Sequence, residues 1–111
     1  MKEKKNLGSN NNIMHQWFAY LFEQRIDKNG YVRCFECSIN MSENTYKNNS
    51  CCYSHILSKK RFPEYKGCEW NIQIVCPSCH SLYSNRPSNA KNQYALYLEL
   101  LKKHENNELC Q

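Results

Sequence analysis

The fold of this chain is decided by residues 71–80, which read NIQIVCPSCH. Three of the four residues in the segment 72–75 are β-branched, and this pattern predicts a short strand. After Pro77 the pattern favours a short helix that ends at about Asn85. A strand, a pair of closely spaced cysteines and a helix are therefore expected to follow one another directly.

Two Cys-x-x-Cys pairs lie on either side of the middle of the chain. Cys34 and Cys37 form the first pair and Cys76 and Cys79 the second, with 38 residues between them. Each pair can present two sulfurs from one tight turn, and two such turns complete a tetrahedral thiolate site for zinc. Four protein ligands leave no position for a substrate, so the predicted zinc is structural. Disulfide bonds and redox chemistry are the alternatives.

Length and composition set the class of protein. The chain has 111 residues, 41% of them hydrophobic, and eight cysteines, so a metal that contributes folding free energy suits it. No stretch approaches the ~20 apolar residues of a membrane span, and no apolar signal core follows the charged start. We therefore expect a cytoplasmic protein without a membrane partner. The asparagine-rich composition suits a phage or mobile element acting in a host cell.

Apolar residues recur at helical spacing near the amino terminus. Ile13, Trp17 and Leu21 fall on one row, and a neighbouring row continues the same face. This pattern predicts an amphipathic helix of roughly 13 or 14 residues with Asn12 as its N-cap. The polar residues 1–12 are expected to form a disordered tail.

Further short elements are expected around the first cysteine pair. A turn over residues 27–30 leads into a strand at residues 31–33. Residues 38–50 are mostly polar and are expected to be irregular. Residues 52–56 predict another strand, from their alternation and β-branched end.

The last third of the chain predicts a helix that starts at Pro87 and Ser88. Its expected apolar face consists of Ala90, Tyr94, Tyr97, Leu98 and Leu101.

The predicted fold class is α+β, a small zinc-stabilised core flanked by amino- and carboxyl-terminal helices. A single domain is expected over residues 13–107, with its core at residues 31–85 and a second tail at residues 108–111.

Three residues outside the cysteine pairs complete a known pattern. They are His55 within Ser54-His55-Ile56, Asn71, and His80 directly after the second pair. With them the chain resembles the HNH (ββα-metal) endonuclease superfamily over roughly residues 31–85. In layout it is similar to the endonuclease VII-like nucleases of phages, which have a four-cysteine zinc around the same motif. The resemblance implies a treble-clef-like ββα-metal domain that cleaves DNA in a metal-dependent reaction.

The resemblance also implies a role for each motif residue. His55 would be the general base that deprotonates the attacking water, and Asn71 would hold the loop so that this imidazole stays aimed. His80 would bind a divalent metal, Mg²⁺ or Mn²⁺, at the scissile phosphate; an alternative role for it is as a substitute zinc ligand. Residue chemistry agrees, since a neutral histidine suits proton abstraction near pH 7 and a metal ion stabilises the leaving oxygen.

One position departs from the family pattern. Ser54 stands where many members carry an aspartate that binds the metal, and a serine hydroxyl is a poor metal ligand. A zinc-stabilised DNA-binding module without catalysis is therefore the alternative function. A protein-interaction zinc finger ranks third, because it makes no use of His55 and Asn71.

A basic loop follows the first histidine and contains Lys59, Lys60 and Arg61. The chain as a whole carries a net charge of +5. Cationic side chains beside a reacting strand suit the phosphates of DNA or RNA, although a solvated loop has the same composition. The sequence therefore predicts a nucleic-acid partner, DNA first, that contacts this loop.

Overall fold

The computed structural model describes residues 10–109, with side chains from residue 13 onward. Within this range the chain forms four α-helices and two small antiparallel sheets, so the α+β prediction is confirmed. The helices are α1 (Asn10–Arg25), α2 (Glu43–Tyr46), α3 (Pro77–Asn85) and α4 (Lys91–Glu105). The strands are β1 (Tyr31–Arg33), β2 (Asn40–Ser42), β3 (Tyr53–His55) and β4 (Ile72–Ile74). None of the helices in residues 10–109 has the length and apolar character to cross a membrane.

Each sheet is a pair of three-residue strands. β1 pairs with β2, which places Val32 opposite Met41, and both side chains are buried. β3 pairs with β4, which places His55 opposite Ile72. The turn before β1 contains Gly30 at a φ of 87°, the left-handed conformation that its sequence pattern predicts. β4 leads directly into the second cysteine pair and α3, in the order that the sequence predicts.

α1 buries one face against both sheets. Phe18, Leu21 and Phe22 are buried there, and Met14 and Trp17 pack partly against the same cluster. The predicted amphipathic face is confirmed. Burial of these large side chains holds α1 in place, since each contributes about 1.5–3 kcal/mol relative to an exposed position.

The predicted start of α1 is wrong. The helix already includes Asn10, so Asn12 is not its N-cap and the end of the predicted tail, residues 10–12, is helical. The apolar rows begin only at residue 13, but a helix extends beyond its packed residues because propagation costs little once a turn has formed. The rest of that predicted tail, residues 1–9, lies outside the described residues.

Residues 38–50 are more ordered than the sequence predicts. They contain β2 and α2, and a 3-10 turn begins at Ser50. Only Met41 is fully buried in this stretch, and one buried side chain gives no periodicity that a pattern could detect. Of the two adjacent cysteines that follow, Cys52 is buried and Cys51 is exposed.

α4 packs across the core, as predicted, and through most of the predicted face, since Ala90 is buried and Tyr97 and Leu101 pack against buried residues. A 3-10 turn at Pro87–Asn89 precedes it, so the α-helix begins at Lys91 rather than at the proline. Leu98 is 49% exposed, whereas Leu100 and the polar Gln93 are buried. The sequence pattern considers only apolar residues and therefore misses Gln93. This polar side chain points toward the core because its amide is hydrogen-bonded there.

A second apolar cluster lies under the loop between β3 and β4. It is formed by buried residues of that loop together with Leu100 of α4. Leu109, in the predicted tail 108–111, also packs against it. This cluster fixes α4 at its carboxyl-terminal half, while polar contacts described below fix its amino terminus.

Candidate functional site

The four cysteines of the two Cys-x-x-Cys pairs converge on one point. Their Sγ atoms all lie within 4.8 Å of one another, and Cys37 Sγ is 3.9 Å from Cys76 Sγ. A tetrahedral site with Zn–S bonds of ~2.3 Å places its sulfurs about 3.8 Å apart. The four thiols form no disulfide. The predicted metal-binding cluster is therefore confirmed, and its donor set suits a structural zinc.

Backbone amides prepare this cluster for negative charge. The N–H groups of Cys37 and Cys76 donate to Cys34 Sγ over 3.4 and 3.2 Å. Burial has the largest single effect and opposes ionisation of Cys34, but these two amides together with the Glu36 amide and the Cys37 side chain give a net lowering of the pKa of that thiol. Burial raises the pKa of Cys79. Four thiolates at this spacing repel one another, so a dication is what allows all four to ionise together.

His55 lies at the end of β3 in a half-buried position. Its Nε2 is 2.8 Å from the carbonyl oxygen of Lys66. A carbonyl oxygen only accepts hydrogen bonds, so Nε2 carries the proton and the neutral ring keeps its lone pair on Nδ1. Burial lowers the pKa of His55, and charges on Lys59 and His80 lower it further against the opposing effect of the Lys66 hydrogen bond. The ring is therefore mainly neutral at pH 7.

His80 lies on α3, directly after the last cysteine of the cluster. Burial lowers the pKa of His80 as well, and the charge of Lys59 adds to this effect. His55, His80 and Lys59 all line one cleft. The structure therefore brings together the two motif histidines and one residue of the predicted basic loop.

Asn71 is fully buried just before β4, and its side chain closes the loop between β3 and β4. Oδ1 accepts from the N–H of Leu57 at 2.7 Å, and Nδ2 donates to the carbonyl oxygens of Leu57 and Tyr65 at 3.0 and 3.3 Å. The Asn71 carbonyl accepts from the N–H of Ile56, the residue after His55, at 2.9 Å. These bonds fix the chain immediately after His55. A contribution of Asn71 to catalysis stays a prediction.

The cleft has a volume of about 750 Å³. The lysine and arginine side chains that line it are Lys59 and Arg61, and no described aspartate or glutamate does so. Lys60, the other residue of the predicted basic loop, is exposed outside the lining. The aromatic lining consists of Phe18, Tyr53, Phe62, Tyr83, Tyr94 and Tyr97. Sequence reasoning missed this aromatic character, because the rings come from well separated segments.

Ser54 is engaged in the structure rather than available to a metal. It is 1% exposed, and its Oγ donates to Gln93 Oε1 at 2.6 Å. Gln93 Nε2 donates in turn to Glu36 Oε1 and to the Cys79 carbonyl, each at 3.2 Å. One buried amide on α4 therefore connects β3 with both cysteine pairs.

The described residues do not fit a resident Mg²⁺ site in the cleft. Within residues 10–109, the four-cysteine cluster is the one group of at least three histidine, cysteine or carboxylate donors close enough to share an ion. Mg²⁺ prefers oxygen ligands, which usually include one or two carboxylates, and no described carboxylate lines the cleft. The imidazole of His80 is a donor better suited to a transition metal than to Mg²⁺.

Glu36, inside the first cysteine pair, is a structural residue that sequence reasoning missed. Its Oε2 accepts from the N–H of Asn92 at 2.8 Å, and its Oε1 accepts from the N–H of Gln93 at 2.9 Å. Both donors belong to the first turn of α4, so this carboxylate caps the helix and compensates its dipole. Asn92 Nδ2 donates back to the carbonyls of Phe35 and Glu36. No sequence pattern relates a glutamate to a helix start 56 residues away.

Comparison with known proteins finds no matching family model, no significantly similar curated protein and no significantly similar solved structure. The resemblance to HNH nucleases therefore stands on its motif residues alone. Beside it, the structure establishes an α+β fold and a four-cysteine cluster that can hold a metal ion.

Proposed function

We propose that this chain is an endonuclease that hydrolyses DNA phosphodiester bonds with His55 as its general base. The observation that best supports the proposal is the state of the His55 ring. Its Nε2 is anchored on the Lys66 carbonyl, so Nδ1 keeps the lone pair of the neutral ring, and His55 lines the same cleft as Lys59 and Arg61. An anchored, neutral imidazole beside bound phosphate is what activation of a water molecule requires.

In this mechanism Lys59 and Arg61 bind the phosphate and compensate its charge. His55 Nδ1 takes a proton from water while the water oxygen forms a bond to phosphorus. The bond from phosphorus to the leaving strand oxygen breaks, and that oxygen takes its proton from solvent. Asn71 keeps the chain after His55 in place, so the imidazole does not have to reorganise during the reaction.

His80 is proposed to hold a divalent ion together with water and phosphate oxygens. When bound, such an ion would supply electrophilic assistance to the phosphate, and Mn²⁺ suits an imidazole ligand better than Mg²⁺ does. No step of the proposed mechanism depends on a resident Mg²⁺, because no carboxylate lines the cleft.

A second candidate function is DNA binding without cleavage. The observation in its favour is Ser54, which stands where many HNH nucleases carry a metal-binding aspartate. Its hydroxyl donates a hydrogen bond to Gln93 instead. The cationic lining of the cleft suits a bound phosphate whether or not it is cleaved.

Replacing His55 tests the proposal. His55→Ala should keep the metal, the fold and DNA binding but lose cleavage by about 10²–10⁴-fold, the usual contribution of a general base. Cleavage of plasmid and of single-stranded DNA, each with added Mn²⁺ or Mg²⁺, measures the loss, and circular dichroism checks the fold. His15→Ala is the matched control, since His15 is exposed on α1 and should cleave like the wild type.

Two results would count against the proposal in different ways. Equal cleavage by wild type and His55→Ala would contradict the proposal that His55 is the general base. A wild type that binds DNA but does not cleave it with either metal ion would favour the binding module.

A further inference from the structure

We infer that Tyr94 and Tyr97 form a base-stacking subsite, so that the cleft takes an unpaired stretch of a DNA strand rather than intact duplex. The inference rests on the proposed function in taking DNA as the ligand. The two tyrosines lie one turn apart on α4, with ring centroids 5.8 Å apart and planes inclined by 23°. Both are half-buried and line the same cleft as His55 and His80.

The cleft lining combines two properties that one class of ligand explains. Its lysine and arginine side chains, with no acidic side chain from the described residues, suit an anion. Its many aromatic rings suit a ligand with flat apolar faces. An unpaired nucleotide has both a phosphate and an exposed base face. In a duplex the base faces are stacked inside the helix, so a protein contacts only the base edges and the backbone.

Arg61 links the tyrosine pair to the loop that is proposed to bind phosphate. Its NH1 donates to the Tyr97 hydroxyl at 3.5 Å, and its guanidinium carbon lies 5.2 Å from the centroid of the Phe62 ring. Contacts within the protein therefore hold a cation next to the stacked rings. A phosphate bound at Arg61 would have its own base within reach of Tyr97.

The size of the cleft agrees with this ligand. A volume of about 750 Å³ falls within the ~300–1,000 Å³ typical of sites that enclose small molecules. Such a space suits a short run of nucleotides and is too confined to enclose a double helix. An acidic peptide rich in aromatic residues has similar chemistry, and the test below separates the two.

The test uses the metal-loaded full chain without added divalent ions, so that binding is measured apart from cleavage. Fluorescence anisotropy compares a labelled single-stranded DNA of about ten nucleotides with its duplex. We expect tighter binding of the single strand. Tyr94→Ala and Tyr97→Ala should each weaken it by about 5- to 150-fold, the effect of losing one stacking ring. Duplex binding should change little.

Matched variants separate stacking from folding. Tyr94→Phe keeps the ring and should bind single strands nearly as the wild type does, whereas Tyr97→Phe keeps the ring but loses the contact with Arg61 and should weaken binding less than Tyr97→Ala does. Tyr20→Ala removes a tyrosine that is 47% exposed and stacked on Trp17 but does not line the cleft, so it should have no effect. Circular dichroism should show the same helical content in every variant.

The outcomes distinguish this inference from the proposed function. Tighter binding of duplex than of single strand, with cleavage intact, would overturn the subsite and leave the nuclease standing. Alanine variants that bind like Tyr20→Ala, or displacement of DNA by an acidic aromatic peptide at equal concentration, would also overturn it. If the tyrosine variants lose single-strand binding while wild type cleaves nothing, hydrolysis fails and the subsite stands.

Discussion

Burial has the largest effect on the protonation of His55, and three neighbours modify it: the Lys66 carbonyl that accepts from Nε2, Lys59 and His80. These effects act in opposite directions. Burial and the charges of Lys59 and His80 disfavour the charged ring, whereas the Lys66 carbonyl favours it. The net result is a pKa of His55 below its ordinary value, which favours the neutral ring.

The pH dependence of cleavage should follow from this shift. Activity requires neutral His55, and the pKa of His55 lies below its ordinary value of 6.5, so the acid limb of the kcat/KM profile should lie below pH 6.5. Lys59→Met removes a charge that lowers this pKa, so its acid limb should move to higher pH. Lys60→Met, one residue along the same loop, is the control and should leave the limb where it is. An unmoved limb in Lys59→Met would contradict this account of His55.

The candidate site was predictable from sequence only in part, and the residues show why. His55, Asn71 and His80 follow from a motif, because their spacing along the chain is itself the signal. Gln93 and Glu36 carry no such signal, since each reads as an ordinary surface residue. Their burial or capping role depends on partners 57 residues apart that only the folded chain brings together.

At the scale of elements, the bounds of α3 were predicted because proline marks both ends. Pro77 is the first residue of the helix, where its fixed φ suits the first turn. Pro87 follows Arg86, and a residue before proline avoids the helical conformation. β2 and α2 were missed because their residues are mostly polar and Met41 is the one buried side chain among them, so β2 is defined by its pairing with β1 rather than by a hydrophobic pattern.

The attachment of α4 should depend on the Glu36 carboxylate. Glu36→Ala removes the acceptor for two first-turn amides and for Gln93 Nε2, and should lower the free energy of unfolding by about 1–2 kcal/mol. Chemical denaturation of the metal-loaded protein measures this. Glu99→Ala is the matched control: Glu99 is an exposed residue of α4 that pairs with Lys103, and its loss should cost less than about 0.5 kcal/mol. Equal losses of unfolding free energy in the two variants would contradict the capping role of Glu36.

At the scale of the whole molecule, stability should depend on the four-cysteine cluster. Cys34→Ser removes one thiolate, and the protein should lose about one bound zinc per chain together with its cooperative unfolding transition. Elemental analysis and thermal circular dichroism measure the two losses. Cys51→Ser, an exposed cysteine outside the cluster, should keep both the zinc and the transition. A folded, zinc-free Cys34→Ser protein would show that the cluster does not stabilise the domain.

The Glu36 cap also implies an order of assembly. Glu36 lies between two metal ligands, so its carboxylate is aimed at α4 only after the first cysteine turn has closed. Contacts between segments so far apart in sequence form late, because their chain-closure entropy has to be offset first. The last helix is therefore expected to dock last, and with it the tyrosines that line the cleft. A metal at the four cysteines is therefore expected to favour formation of the cleft from a distance, because none of the four cysteines lines it.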